Sequence, residues 1–90
     1  MSNVDKNSIN RRSLEQLNFN QAIDSISSHI GNYLERNGLT VADFCESICE
    51  YEARFYGMRN RNRNPTLKTL VKYAAATNTK LVILFEHEQE

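Results

Sequence analysis

Residues 39–70, LTVADFCESICEYEARFYGMRNRNRNPTLKTL, decide the architecture. Thr40 is followed three positions on by Asp43, so its hydroxyl can accept from the first free amides of a helix while the carboxylate sits near the positive helix end. A second helix of the chain starts there. Val41, Phe44, Cys45 and Ile48 form one apolar stripe, and the phase is lost at Cys49-Glu50-Tyr51. A new apolar set, Ala53, Phe55 and Met58, interleaved with Arg54, Tyr56 and Arg59, predicts a short helix from Glu52 to Asn60. Arg59 to Pro65, RNRNRNP, is basic and amide-rich beyond what any core absorbs, and its proline disfavours helix at Asn64, so it reads as an exposed loop. Helical spacing resumes from Thr66 to Thr77 through Leu67, Leu70, Val71 and Ala74, with Lys68 and Lys72 outward and Asn78 as a stop.

Working outward, Phe19, Ile23, Ile26, Ile30, Tyr33 and Leu34 recur every three or four residues. They predict an earlier helix capped by Asn18 and stopped by Asn37-Gly38. The polar, Asn-rich start lacks apolar period and reads as a mobile arm, with Ser13 and Gln16 able to cap a short turn. At the other end Leu81-Val82-Ile83-Leu84-Phe85 is too short an apolar run for a helix and reads as a strand before an acidic tail. The expected organisation is an arm at 1–17, a helical domain at 18–79, a strand at 80–86 and the tail at 87–90.

Composition narrows the function. Ninety residues with one proline and three glycines make one domain, and 40% hydrophobic with 24% charged residues is ordinary for a soluble globular chain. No apolar run approaches a membrane span, and no apolar stretch follows the charges of MSNVDKNSINRRS, so the expected location is cytoplasmic. Eleven basic and eleven acidic residues cancel, but unevenly along the chain. Between Glu52 and Lys72 stand Arg54, Arg59, Arg61, Arg63, Lys68 and Lys72 against the single acid Glu52, whereas Glu35, Asp43, Glu46 and Glu50 crowd the stretch before. Cys45 and Cys49 are spaced for one side of a helix and poorly placed for a disulfide. With His29 and His87 isolated, neither metal nor cofactor is expected. No nucleophile and base pair, glycine-rich phosphate loop or carboxylate pair suggests an enzyme.

Two short helices joined by a tight turn, then a basic loop and another helix, form the arrangement that sets one helix in a DNA groove. The segment quoted above resembles, without a gap, the helix-turn-helix of the Xre family, the domain shared by Cro and the phage-lambda repressor. The likeness runs from Leu39 to about Ala76. It is carried by Leu39-Thr40, by the core positions Phe44, Ile48, Phe55 and Met58, and by Arg63-Asn64-Pro65-Thr66-Leu67. It implies a mainly α fold, a lambda-repressor-like bundle of four to five helices, here with a C-terminal β-strand as in several antitoxins of the family. Cys45 falls where the family has alanine, a small side chain between crossing helices. Four positions depart from the pattern: Cys49 for the turn glycine, Glu50 for an apolar residue, Val41 for a phosphate-binding glutamine and Tyr51 for a capping Ser or Thr.

The resemblance implies a dimeric repressor of a mobile-element or toxin-antitoxin operon, bound to double-stranded DNA. Base contacts then fall to Glu52, Ala53, Arg54, Tyr56 and Asn60 on the third helix, with Gly57 beside them. Arg54 is the sharpest because an arginine reads guanine with two hydrogen bonds, although a local ion pair to Glu50 or Asp43 competes for it. Phosphate contacts fall to Thr40, Tyr51, Arg59, Arg61, Asn62, Arg63, Thr66 and Lys68, with Arg11 and Arg12 as further candidates. Leu81, Val82, Ile83, Leu84 and Phe85 are expected to dimerise, since a lone apolar strand exposes unpaired backbone. Glu50, Glu52 and the zero net charge support a different use, a protein-docking module such as a toxin-neutralising subunit whose helix-turn-helix does not read DNA.

Overall fold

The computed structural model describes residues 3–87. Four α-helices follow one another: α1 (Asn3–Asn37), α2 (Val41–Ser47), α3 (Glu52–Arg59) and α4 (Leu67–Ala76). The segment read as an arm is helical from Asn3, and the expected caps Ser13 and Asn18 lie inside α1. Once the later turns of α1 are anchored in the core, each residue added before them needs propagation and no new nucleus. Arg11, Arg12, Leu14, Glu15, Gln16 and Leu17 are all good helix formers. At 1.5 Å per residue the 35 residues of α1 span about 52 Å, which accounts for the 55 Å long axis of the molecule. Residues 10–18 of α1 are exposed apart from half-buried Leu14.

The core is assembled from all four helices. Ile23, Ile30 and Leu34 of α1, Phe44 and Cys45 of α2, Phe55 and Met58 of α3, and Tyr73 of α4 are buried together. Three rings form its centre, with Phe44 and Phe55 at 6.2 Å, Phe44 and Tyr73 at 5.8 Å, and Phe55 and Tyr73 at 6.1 Å between centroids. Edge-on and tilted geometries suit the ring quadrupoles. The apolar stripe expected on α4 is rotated: Leu67 and Val71 are exposed, and Tyr73 and half-buried Leu70 face inward. A second tie joins α1 to the end of α4, where the buried Thr77 hydroxyl donates to Tyr73 O at 2.9 Å and lies 2.9 Å from His29 Nε2.

All four helices stop in the same way. The residue at the end takes a left-handed conformation and its N–H donates to the carbonyl three residues back, while the next N–H donates to the carbonyl five back. Gly38, Cys49, Arg61 and Asn78 occupy the left-handed position, at φ 61°, 56°, 65° and 57°. The hydrogen bonds are Gly38 to Glu35 and Leu39 to Leu34, Cys49 to Glu46 and Glu50 to Cys45, Arg61 to Met58 and Asn62 to Gly57, Asn78 to Ala75 and Thr79 to Ala74. Glycine serves at one of the four.

Residues 78–87 form no strand, so the strand expected over 80–86 is not seen among the described residues. A strand is defined by its ladder, and among the described residues none pairs with this segment. Leu81 is half-buried, while Val82 to Phe85 are exposed, from 60% at Ile83 to 95% at Phe85. Of the tail at 87–90, all but His87 lies outside the described residues. No described helix is long and apolar enough to cross a membrane.

Candidate nucleic-acid interface

The unit formed by α2, the turn and α3 is set by its caps. Thr40 Oγ1 accepts from Asp43 N–H at 3.0 Å, and Asp43 Oδ2 accepts from Thr40 N–H at 3.0 Å, closing a reciprocal capping box. The backbone hydrogen bond from Thr40 holds the Asp43 carboxyl below its ordinary range. The Thr40 hydroxyl proposed for phosphate is thus already accepting within its own helix. At the far end of α2 Cys49 takes a left-handed conformation where the family pattern has glycine, and reverses the chain.

That reversal sends Glu50 inward. Its side chain is only 4% exposed, with Oε1 accepting from Arg54 Nη1 at 3.2 Å, while Oε2 is buried with no hydrogen-bond partner. The Tyr73 hydroxyl is likewise buried and unpartnered. Desolvation first, then the Glu50 charge, push the Tyr73 phenol up to about 12. Burial also raises the Cys45 thiol, with Glu52 and Glu50 adding to it, so Cys45 is a neutral packing group.

The candidate base-reading residues fall into two sets. Glu52, Ala53 and Asn60 are exposed, and Arg54 keeps 58% of its side chain in solvent although one nitrogen is committed to Glu50. Tyr56 is half-buried, its ring 5.9 Å from that of Phe55 and covered by the Arg59 guanidinium at 4.8 Å. Tyr51 is the N-cap of α3, exposed and making no side-chain cap hydrogen bond, so the α3 amides lack the hydroxyl that a Ser or Thr supplies.

The phosphate candidates are gathered less uniformly. Arg61 turns away from the loop toward α1, where its Nη2 lies 2.7 Å from both carboxylate oxygens of Asp24. Arg63 folds back over α3: its N–H donates to Gly57 O at 3.1 Å, and a Cβ on Gly57 would lie 2.7 Å from Arg63 Cδ. Gly57 therefore serves as the floor on which the Arg63 stem lies. Arg54, Arg63, Asn64, Pro65, Thr66 and Thr69 surround a cleft of about 360 Å³ over Met58 and Tyr73. Thr66 caps α4 by accepting from Thr69 N–H at 3.1 Å. Asn62 and Lys68 are exposed.

No protein-family model matches the chain, and neither the characterised proteins nor the solved structures compared with it give a match.

Three features of the site were not read from the sequence. The Asp24 partner of Arg61 lies 37 residues away, and only the folded path of the loop brings them together. The role of Gly57 depends on where Arg63 goes. Burial of Tyr73 had a signal, since it follows Leu70 by three on the same helix face, but the stripe through Leu67 and Val71 obscured it.

Proposed function

We propose that the chain is a sequence-specific DNA-binding regulator that works as a homodimer, with α3 entering the major groove. The observation that carries this reading is the outer face of α3: Glu52, Ala53, Arg54 and Asn60 are exposed, uncovered by α1 or by the C-terminal segment, and Arg59 and Arg63 rim them. The acid that most opposed the reading, Glu50, is withdrawn from that face and paired. Arg54 is held at one nitrogen and free at the others, an orientation suited to a guanine edge. Half-buried Leu81 and exposed Val82 to Phe85 supply the dimer contact, and a two-fold dimer calls for two half-sites about 34–36 Å apart. Control of a mobile-element or toxin-antitoxin operon fits a regulator of this size.

Selection from a randomised duplex pool, followed by anisotropy titrations at several salt concentrations, tests the reading. Enrichment of a near-palindromic site is expected, with affinity falling steeply as salt rises. Arg54→Ala is expected to relax base preference, and Arg63→Ala to weaken all sequences together and flatten the salt slope. A pool that returns no enriched sequence refutes DNA reading. A chain indifferent to DNA that copurifies with a basic protein selects the docking module instead, for which the pairing of Arg54 with Glu50 and of Arg61 with Asp24 is the supporting observation.

A further inference from the structure

The exposed C-terminal run is chemically symmetric about Ile83. Lys80 precedes five apolar residues and Glu86 follows them. If two copies run antiparallel with Ile83 opposite Ile83, then Leu81 faces Phe85, Val82 faces Leu84, and Lys80 faces Glu86 at both ends. A shift by one residue in either direction sets Lys80 against Phe85 or Leu81 against Glu86, and a shift by two sets Lys80 against Leu84 or Val82 against Glu86. Opposite charges placed directly across a ladder stabilise it, whereas a charge facing an apolar neighbour loses solvation without a partner. The centred register alone pairs every charge and every apolar side chain.

The face that turns inward is also defined. Alternation puts Leu81, Ile83 and Phe85 on one side and Lys80, Val82, Leu84 and Glu86 on the other. Leu81, Lys80 and Val82 all line a cavity of about 340 Å³ against Ile26, Ile30, Leu70, Tyr73 and Ala74, but of the three only Leu81 is half-buried while the other two stay exposed. In the centred register the partner's side chain opposite Leu81 is Phe85, which at 95% exposed is left uncovered by the described residues of its own chain. An isolated two-stranded ribbon is marginal in water, so packing its inner face on a body is what makes such a ribbon persist.

We infer that two copies of this chain join through residues 80–86 as an antiparallel ribbon centred on Ile83, locked by reciprocal Lys80 to Glu86 ion pairs, each Phe85 covering the cavity beside the other copy's Leu81. The inference rests on the homodimeric reading above and adds its register, its charge lock and the occupant of the cavity. It makes no use of the DNA-binding face, so it stands or falls without any nucleic acid.

Sedimentation equilibrium without DNA supplies the test. Lys80→Glu and Glu86→Lys are each expected to weaken the dimer about tenfold by setting like charges across the ribbon, and the double variant to restore it. Phe85→Ala is expected to weaken it at least as much with circular dichroism unchanged, because the residue is exposed in the single chain. For the register, single cysteines are introduced at positions 82, 83 and 84 in a Cys49→Ser background. Ile83→Cys should crosslink to its own copy fastest under mild oxidation. A chain that stays monomeric at every concentration overturns the inference, as does a double charge variant no better than the singles. Faster crosslinking at 82 or 84 overturns the register, and an unchanged Phe85→Ala dimer overturns the cavity contact. Salt-dependent DNA binding by a monomeric chain would leave the DNA reading intact while this one fails.

Discussion

Replacing Cys49 by glycine should stabilise the protein. The residue ends α2 at φ 56°, where its Cβ crowds the following carbonyl at a cost of about 1–2 kcal/mol that glycine does not incur. Glycine gives back about 0.4–1 kcal/mol through its more disordered unfolded chain. The thiol is exposed, so little burial is lost on removing it, and the backbone hydrogen bond from Cys49 N to Glu46 O is retained. At mid-range values the balance is about +0.8 kcal/mol, or roughly 3–6 °C in Tm for a domain of this length. Gly38 provides the internal control: it occupies the same position after α1 at φ 61°, with open space around a Cβ, so Gly38→Ala should cost a similar amount through conformation alone. Thermal and urea unfolding followed by circular dichroism measure both. If Gly38→Ala falls as expected while Cys49→Gly shows no gain or a loss, the left-handed turn at 49 is not strained and the account of how α2 hands over to α3 is wrong.

Thr40→Ala should cost about 1 kcal/mol in chemical denaturation, because the hydroxyl that accepts from Asp43 N–H is lost while the backbone N–H at position 40 still donates to the Asp43 carboxylate. Of the two hydrogen bonds that lower the Asp43 carboxyl, the larger, from the backbone N–H at position 40, survives in the variant, so the contribution present above pH 3.8 and lost as pH falls through the lower folded value is reduced only in part, and the acid limb of the variant's stability curve should be only slightly shallower. Tyr73 has the opposite sign. With a phenol at 10.0 unfolded and about 12 folded, the native state keeps its proton longer, and stability should fall between pH 10 and 12 by about 1.4 kcal/mol per pH unit. Tyr73→Phe should abolish that alkaline loss, and at pH 7 it should be neutral or stabilising because the hydroxyl it removes has no partner. Asp24→Asn should release Arg61 with less than about 1 kcal/mol lost from the fold and raise DNA affinity several-fold at low salt, an effect that vanishes at high salt. Unchanged affinity at low salt would show that Arg61 is structural.

How much of this was legible in the sequence depended on the range of the interaction concerned. The α2 cap was read from Thr40 and Asp43 because both partners lie within one turn, and α3 from Glu52 was read because its apolar set and the proline after the loop are local signals. The core was largely legible too, since Ile23, Ile30, Leu34, Phe44, Phe55 and Met58 keep helical phase. The amino-terminal part of α1 was not, because its helix continues from an anchored neighbour and needs no apolar face of its own. The strand at 80–86 was read from composition, but strand formation depends on a neighbour that composition does not contain. The partners of Arg54 and Arg61 divide along the same line. Glu50 is four residues from Arg54 and was anticipated, whereas Asp24 reaches Arg61 only through the tertiary path of the loop.

The two departures at the turn, Cys49 and Glu50, are one structural event. A left-handed residue at 49 lets Glu50 N–H return to Cys45 O at 2.9 Å, and a side chain at that position ordinarily packs against the end of the helix just finished. An apolar residue would do so at no cost. Glutamate does it with one oxygen on Arg54 and the other buried and unpartnered, at a price of about 1–3 kcal/mol for the orphaned acceptor. In return the two acids at the start of α3 are separated in role: Glu52 stays at the surface, and Glu50 becomes an internal counter-charge that orients Arg54. A guanidinium held at one end loses less conformational freedom on meeting a partner than one waving free. Glu50 therefore acts chiefly on the geometry of Arg54, and its own charge is offset by the arginine it holds; on the proposed DNA-reading face it would orient the arginine more than repel phosphates.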